Sequence, residues 1–413
     1  MKIAIVNYSD IAGGAALASY RLHKALLKAG IDSIMYVNEM SLIDPSIIGP
    51  KSKLKKFINK RRVWLGYQFN RLFKTKNSIT HTVAVLPSNW PNYFNNSDFD
   101  IIHLNWVGGE MMSISDIGAF SKPILWTLHD MWAFCGAEHI TWDERYISGY
   151  KKENRPTTES GIDINKWVWN RKIDSWKKPI QIVAPSHWMG ECVSNSKLMG
   201  DWPLDIIPNG LDIDEWKPID SLVARKKLQL PDNCEFITFG SMGANSAKHK
   251  GFDLLQEALS HLKGQIPNLH ILIFGEGENE RSLDLGFQIH YLGKISDQEK
   301  LQLIYSASTA MIIPSRIDNL PNTGLESMAC GTPIVAFDIC GLKDMVTHKS
   351  TGYLCKAFDT EDMAAGIKWI VTNPSVSLRL GFASRVKAEK MFSSTVLAKN
   401  YIKLYKNIIQ QSQ

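Results

Sequence analysis

The sequence predicts an α/β protein built from two doubly wound domains, each a parallel sheet with helices on both faces. Three observations carry this. Apolar runs of strand length alternate with amphipathic helical stretches along the chain, and that alternation builds parallel sheets. The pattern occurs twice, on either side of a span rich in Pro, Gly, Asn and Asp at 208–233. A length of 413 residues is enough for two full cores.

In the first half the strand runs are 3–7, 33–37, 100–104, 124–128, 180–184 and 205–207. Residues 16–29 read as a helix, with Ala18, Leu22, Ala25, Leu26 and Ala29 on one face. In the second half the strands are 236–239, 269–274, 289–292, 310–314 and 333–337, with helices at 254–262, 297–307, 325–329 and 360–371. The tail 396–409 is helical, with Leu397, Tyr401, Leu404, Tyr405 and Ile408 in one stripe. The expected domains are 1–208, 209–390 and a final helical segment 391–413.

Composition is ordinary for a globular chain, 44% hydrophobic and 21% charged. No apolar run approaches the ~20 residues that span a bilayer. The apolar start covers only 3–6 before Asn7, Ser9 and Asp10, unlike a secretion signal. Six scattered cysteines without a Cys-x-x-Cys pair argue against a zinc site or disulfide framework. These features predict a cytoplasmic protein.

Charge is concentrated. Residues 51–76 hold ten Lys or Arg and no acid, more than the whole net charge of +6. Phe57, Trp64, Leu65, Tyr67, Phe69, Leu72 and Phe73 are interleaved with them. A solvated surface helix is one reading, and a helix lying on anionic lipid is the other and the favoured one. No nucleic-acid reading motif accompanies the patch, so nucleic acid is not an expected partner.

The most informative stretch is 315–337, SRIDNLPNTGLESMACGTPIVAF. Asp318 leaves a strand, Asn319-Leu320-Pro321-Asn322 turn, and a helix starts near Asn322-Thr323 with free N–H groups facing that loop. Glu326 lies about one turn inside. Two carboxylates would hold polyol groups, and the helix N-terminus would face an anion between them. Gly13-Gly14, between a strand and a helix, admit a phosphate at a helix start or a plain tight turn. Lys248, His249 and Lys250 precede Gly251 at another helix start, as a diphosphate site or a solvated basic turn. Ser296 or Asp297 caps a helix. His129, in TLHDMW, ends a strand of a parallel sheet, where ligands bind. His103, in IIHLNW, lines the acceptor side or caps the sheet. Asp212-Ile213-Asp214 has D-x-D spacing but sits in an interdomain turn and is rejected as a metal site.

The stretch from Asp318 to Glu326 resembles the donor-binding signature of retaining glycosyltransferases of family 4, where Glu usually stands at the first position. The resemblance covers nearly the whole chain and is strongest over 208–392. It implies the GT-B architecture, with two Rossmann-like domains facing each other across a cleft. The first would bind the acceptor, the second a nucleotide sugar, and the last helix would cross back to the first domain. It implies that Glu326 holds the donor ribose and that Asp318 contacts the donor sugar with Asn319, Leu320, Pro321, Asn322 and Thr323. His129 would orient sugar and acceptor. Gly13, Gly14, Lys248 and Lys250 would face the diphosphate. The loops with Gly275, Gly277 and Ile295 would surround the nucleoside. The Arg usual after strand 236–239 is replaced by Ser241 or Met242, with Lys248 as a substitute. The implied reaction is metal-independent, cofactor-free, hexosyltransferase-type transfer to a glycan or lipid-linked glycan in surface polysaccharide synthesis. A non-catalytic sugar-binding scaffold, or another GT-B enzyme such as a sugar-nucleotide epimerase or a phosphorylase, is the alternative.

Overall fold

The structure is a computed structural model that describes residues 1–240, 248–275 and 286–412. The chain folds as two units, Met1–Pro208 with Leu397–Gln413, and Asn209–Val396.

The first unit is built on seven parallel strands: β1 Lys2–Ser9, β2 Asp32–Glu39, β3 Ile47–Ile48, β4 Ile101–Leu104, β5 Ile124–Thr127, β6 Gln181–Ala184 and β7 Leu204–Ile206. Their order is β3-β2-β1-β4-β5-β6-β7, so β1 is flanked by strands reached in opposite directions. Ligands of such sheets bind at the carboxyl ends of the strands at that reversal. Ile3, Ala4, Ile5 and Val6 are fully buried, as a strand covered on both faces requires. The helix after β1, Gly14–Lys28, buries Ala18, Leu22, Ala25 and Leu26, while Ala29 is its exposed C-cap. Leu397, Tyr401, Leu404, Tyr405 and Ile408 of the helix Ser394–Ser412 share a core with Ile3, Ile5, Leu125 and Val183.

The second unit repeats the winding with six strands: β8 Glu235–Gly240, β9 Leu269–Phe274, β10 Gln288–Tyr291, β11 Ala310–Ile313, β12 Ile334–Phe337 and β13 Gly352–Cys355. Their order is β10-β9-β8-β11-β12-β13, and every pairing is parallel. Sequence periodicity missed β13, a short edge strand with only its two ends buried. It also missed the helix Pro374–Met391, whose fully buried positions are Leu380, Gly381, Ser384 and Ala388. That face is too small-sided to register as an apolar stripe.

The basic stretch forms the helix Lys53–Asn70, and its packing is inverted. Only Asn59 and Gly66 are buried. The half-buried Arg62 donates to the carbonyls of Glu110, Leu86 and Pro87 at 2.9, 2.7 and 2.8 Å. Asn59 donates to Asn38 O, and a Cβ at Gly66 would strike the Glu110 side chain. The helix therefore docks by its polar and smallest positions and leaves Leu54, Phe57, Ile58, Trp64, Leu65 and Tyr67 at 40–68% exposure. Among the described residues no helix is long and apolar enough to cross a membrane.

Candidate functional site

At the carboxyl end of the second sheet, the turn Lys248–Lys250 is fastened to the loop that follows β11. Lys250 Nζ donates to Asp318 Oδ2 at 2.7 Å, and Ser315 Oγ donates to the same oxygen at 3.1 Å. The Arg316 N–H donates to His249 O at 2.7 Å, and its guanidinium reaches Lys248 O and both oxygens of Asp253. Gly251, at φ +70°, makes the approach possible, because a Cβ there would overlap the Pro314 carbonyl oxygen. The structure thus brings together Lys250 and Asp318, assigned separately to diphosphate and sugar, as an ion pair. Lys248 is exposed.

The helix Asn322–Ala329 starts after Pro321, which is in extended conformation and has no side chain able to cap it. Thr323 is half-buried. Leu320 turns its side chain into the core, so only its backbone is available to a ligand, and its carbonyl accepts from Asn209 Nδ2 at 3.4 Å. Glu326 is 3% exposed and accepts from Tyr305 Oη at 2.9 Å. The loops after β9 and β10 are joined by the Gly275 N–H donating to Gly293 O at 2.8 Å, and Ile295 packs on the core beneath them. Gly277, Ser241 and Met242 lie outside the described residues. Asp212 and Asp214 form a local turn, with the Asp214 N–H donating to Asp212 Oδ1 at 3.0 Å. Among the described residues no group of three or more His, Cys, Asp or Glu is placed to hold a metal ion. Asp297, not Ser296, caps its helix by accepting from the N–H groups of Glu299 and Lys300.

In the first unit, Gly13 adopts φ +100° at the start of Gly14–Lys28, and a Cβ there would meet nothing within 4 Å. His129 follows β5, and its Nε2 lies 3.0 Å from Asn105 Oδ1. His103 points the other way: its ring nitrogens contact Tyr405 Oη and Thr127 Oγ1 at 2.7 and 2.8 Å, which is a sheet-capping role. Sequence reasoning missed three neighbours of His129. Asp130 Oδ2 lies 2.6 Å from His139 Nδ1 and accepts from Trp106 Nε1 at 2.8 Å. Burial alone would raise the Asp130 pKa, but the His139 ring and these donors more than offset it and hold it low. The sequence signals were present in HDMW and LNW, but nothing in them tied either to His139. In the second unit Tyr305, Ser315 and Arg316 were missed as well.

Burial pushes His103 down to about 3, and His23, His81 and His129 to about 4. All four are therefore neutral in the folded first unit at pH 7. In the unfolded chain they titrate near 6.5, so below that pH the unfolded state binds protons that the folded state refuses. Their contribution is complete above pH 6.5 and is lost as pH falls toward 4, at up to about 1.4 kcal/mol per unit for each ring. Thermal unfolding should move to lower temperature between pH 7.5 and 5, with proton uptake in calorimetry. A Tm that is flat over this range would exclude this effect.

Comparison with known proteins places this geometry. The family model "Glycosyl transferases group 1" matches residues 223–387, inside the second unit. An uncharacterized glycosyltransferase of Haemophilus influenzae is 29% identical over 178 residues, covering 41% of this chain and 48% of that protein. The matched part thus spans about half the length of that relative. A phosphatidyl-myo-inositol mannosyltransferase of Mycolicibacterium smegmatis is 22% identical over 75% of this chain and 72% of its own. Among solved structures, sucrose-phosphate synthase of Thermosynechococcus elongatus aligns over 100% of both chains, with TM-score 0.71 and 19% identity. Anabaena Alr3699/HepE, in complex with UDP and glucose, aligns over 98% of this chain and 100% of its own, with TM-score 0.65 and 15% identity. The chain has the GT-B architecture, and residues 223–387 of its second unit match the glycosyl transferases group 1.

Proposed function

We propose that this protein moves a sugar from a nucleotide-activated donor to a hydroxyl of a glycan or lipid-linked glycan, retaining the anomeric configuration. The observation that carries the reading is the cluster at the end of the second sheet: Lys250 on Asp318, Glu326 buried on Tyr305, and the helix that starts at Asn322. The leaving diphosphate gains negative charge as the glycosidic bond breaks. Lys250, Lys248 and helix N–H groups stabilise that charge without a metal. Glu326 accepts from the donor ribose hydroxyls, and Asp318, oriented by Lys250 and Ser315, accepts from the donor sugar. Backbone groups at Gly275 and Ile295 border the nucleoside. His129, neutral because buried, donates or accepts a hydrogen bond and adds no charge of its own. The UDP and glucose in the Anabaena structure and the lipid named in the Mycolicibacterium relative support this choice of donor and acceptor. The test is a panel of UDP- and GDP-sugars assayed for stabilisation and hydrolysis in excess EDTA. Stabilisation by at least one sugar nucleotide and EDTA-resistant turnover are expected. Turnover lost in EDTA and restored by Mg²⁺ or Mn²⁺ would overturn the metal-independent assignment.

The helix Lys53–Asn70 supports a peripheral site of action at an anionic membrane face. Each cation near such a surface contributes about 1 kcal/mol, and the outward apolar side chains add a part that salt does not screen. Sedimentation should show binding to phosphatidylserine vesicles and weak binding to neutral ones. Because Arg62 holds the helix in place, the variant to make is Lys55, Lys56, Lys60 and Arg61 to Ser. It should lose about tenfold in affinity for each 1.4 kcal/mol removed. Equal binding to both vesicle types, or none to either, would sink the membrane assignment.

A further inference from the structure

At the amino ends of β1, β2 and β4 the first unit carries a cleft of about 670 Å³. Lys2 opens β1, Ile34 lies near the start of β2, and Asp98 and Phe99 lead into β4. The cleft is therefore at the opposite end of the strands from Gly13 and His129, and whatever it binds is not the reacting sugar. Its volume is that of a small-molecule site, roughly 300–1,000 Å³.

One wall is the short helix Trp90–Asn95 with the residues that flank it. Asn89, Asn92 and Asn96 are exposed there, and Tyr93 among them is 46% exposed. The Tyr93 ring is held from behind, edge-on to Phe94 and Tyr36 with centroids 5.2 and 5.6 Å apart. Its hydroxyl lies 2.9 Å from the hydroxyl of Tyr36, which is 3% exposed. A single bond between two hydroxyls uses one of their two protons, so this pair keeps one O–H that the bond does not use.

Charge narrows the ligand. Among the described residues that line the cleft, Lys2 is the only cation, and its Nζ donates to both carboxylate oxygens of Asp98 at 3.0 and 2.8 Å. A phosphate or a nucleic acid would meet no uncompensated positive charge here. A docking peptide buries an apolar anchor in a pocket, but Phe94 and Phe99 are 0% and 4% exposed and closed by their edge-on contacts with Tyr36. What remains is one fixed aromatic face ringed by amides and hydroxyls, which both donate and accept. A neutral sugar chain has the complementary surface, apolar C–H faces bordered by hydroxyls.

We propose that this cleft is a second glycan site, which holds a stretch of the glycan chain remote from the hydroxyl that receives the sugar. It rests on the reading that the acceptor is a glycan. A sugar ring stacks on Tyr93, and its hydroxyls exchange hydrogen bonds with Asn92, Asn96 and the tyrosine pair.

The test is native affinity electrophoresis of the full chain in gels containing dextran, glycogen, mannan or galactan. At least one polysaccharide should retard the wild type. Tyr93→Ala, and the double change Asn92→Ala with Asn96→Ala, should each raise the Kd for that polysaccharide by about tenfold, and Tyr93→Phe, which keeps the ring, by less. His129→Ala, at the other end of the strands, should be retarded like the wild type. In turnover, Tyr93→Ala should raise KM for the polysaccharide but not for the methyl glycoside of its monomer, and retained turnover of that glycoside reports that the variant is folded. No retardation of the wild type by any of the four overturns the site. Equal retardation of the wild type, Tyr93→Ala and the double variant overturns it as well, and so does retardation lost in His129→Ala but kept in Tyr93→Ala. If the cleft variants lose retardation while no sugar nucleotide is turned over by the wild type, the glycan site stands and the transferase reading fails instead.

Discussion

Replacing Glu326 with alanine is expected to lower turnover at least tenfold and to destabilise the second unit at the same time. Glu326 is 3% exposed and is paired with the fully buried hydroxyl of Tyr305 at 2.9 Å. Truncation removes that hydroxyl's bond to a carboxylate, and losing a buried hydrogen bond of this kind costs about 1–3 kcal/mol. It also removes the carboxylate that would accept from two ribose hydroxyls, and hydrogen bonds to a charged group are worth about 1.5–3 kcal/mol each. A factor of ten in rate needs only ~1.4 kcal/mol, so the prediction is conservative. The two effects separate in Glu326→Gln. The amide oxygen still accepts from Tyr305 and the volume is kept, so Tm should move by no more than a few degrees. Donor KM should still rise by about tenfold, because the charge-assisted bonds are weakened. If Glu326→Gln binds donor and turns over like the wild type, Glu326 is a structural partner of Tyr305 and not a ribose ligand.

What could be seen in the sequence follows from what each feature depends on. Strands such as 3–7, 310–314 and 333–337 are legible because a parallel strand buried on both faces must be apolar throughout, whatever its neighbours are. The loop-and-helix from Asp318 to Glu326 is legible because it is one continuous segment. The Lys250–Asp318 pair joins residues 68 positions apart, and Tyr305 stands 21 residues before Glu326, so neither contact has a local signature. The inverted packing of Lys53–Asn70 was hidden for another reason. Its cations and aromatics are visible, but which face docks is decided by Asn59, Arg62 and Gly66 fitting around Glu110, and only the fold places Glu110 there. Small-residue packing hid Pro374–Met391 in the same way.

The dependence of the donor end on one backbone position gives the other large effect, Gly251→Ala. At φ +70° an alanine pays for the left-handed conformation, roughly 1–2 kcal/mol. The larger cost is steric. The new Cβ would overlap the Pro314 carbonyl oxygen, a backbone atom at the end of β11 that cannot rotate away, so the turn or the strand end must move. The turn carries Lys250 and is tied to the loop by Lys250–Asp318 at 2.7 Å and Arg316 N–H to His249 O at 2.7 Å. A shift of the turn therefore strains or breaks both contacts. Tm of the second unit should fall by several degrees, since ~1 kcal/mol is worth about 2–4 °C in a domain of this size. Stabilisation by UDP or GDP should be largely lost. Gly264→Ala is the control, because φ is +74° there but a Cβ meets nothing within 4 Å. It should carry the conformational cost without the displacement, and nucleotide stabilisation should persist. If Gly251→Ala still gains the wild-type stabilisation from nucleotide, the geometry of the Lys248–Lys250 turn is not what holds the diphosphate. The charge compensation would then have to come from the helix start at Asn322 alone.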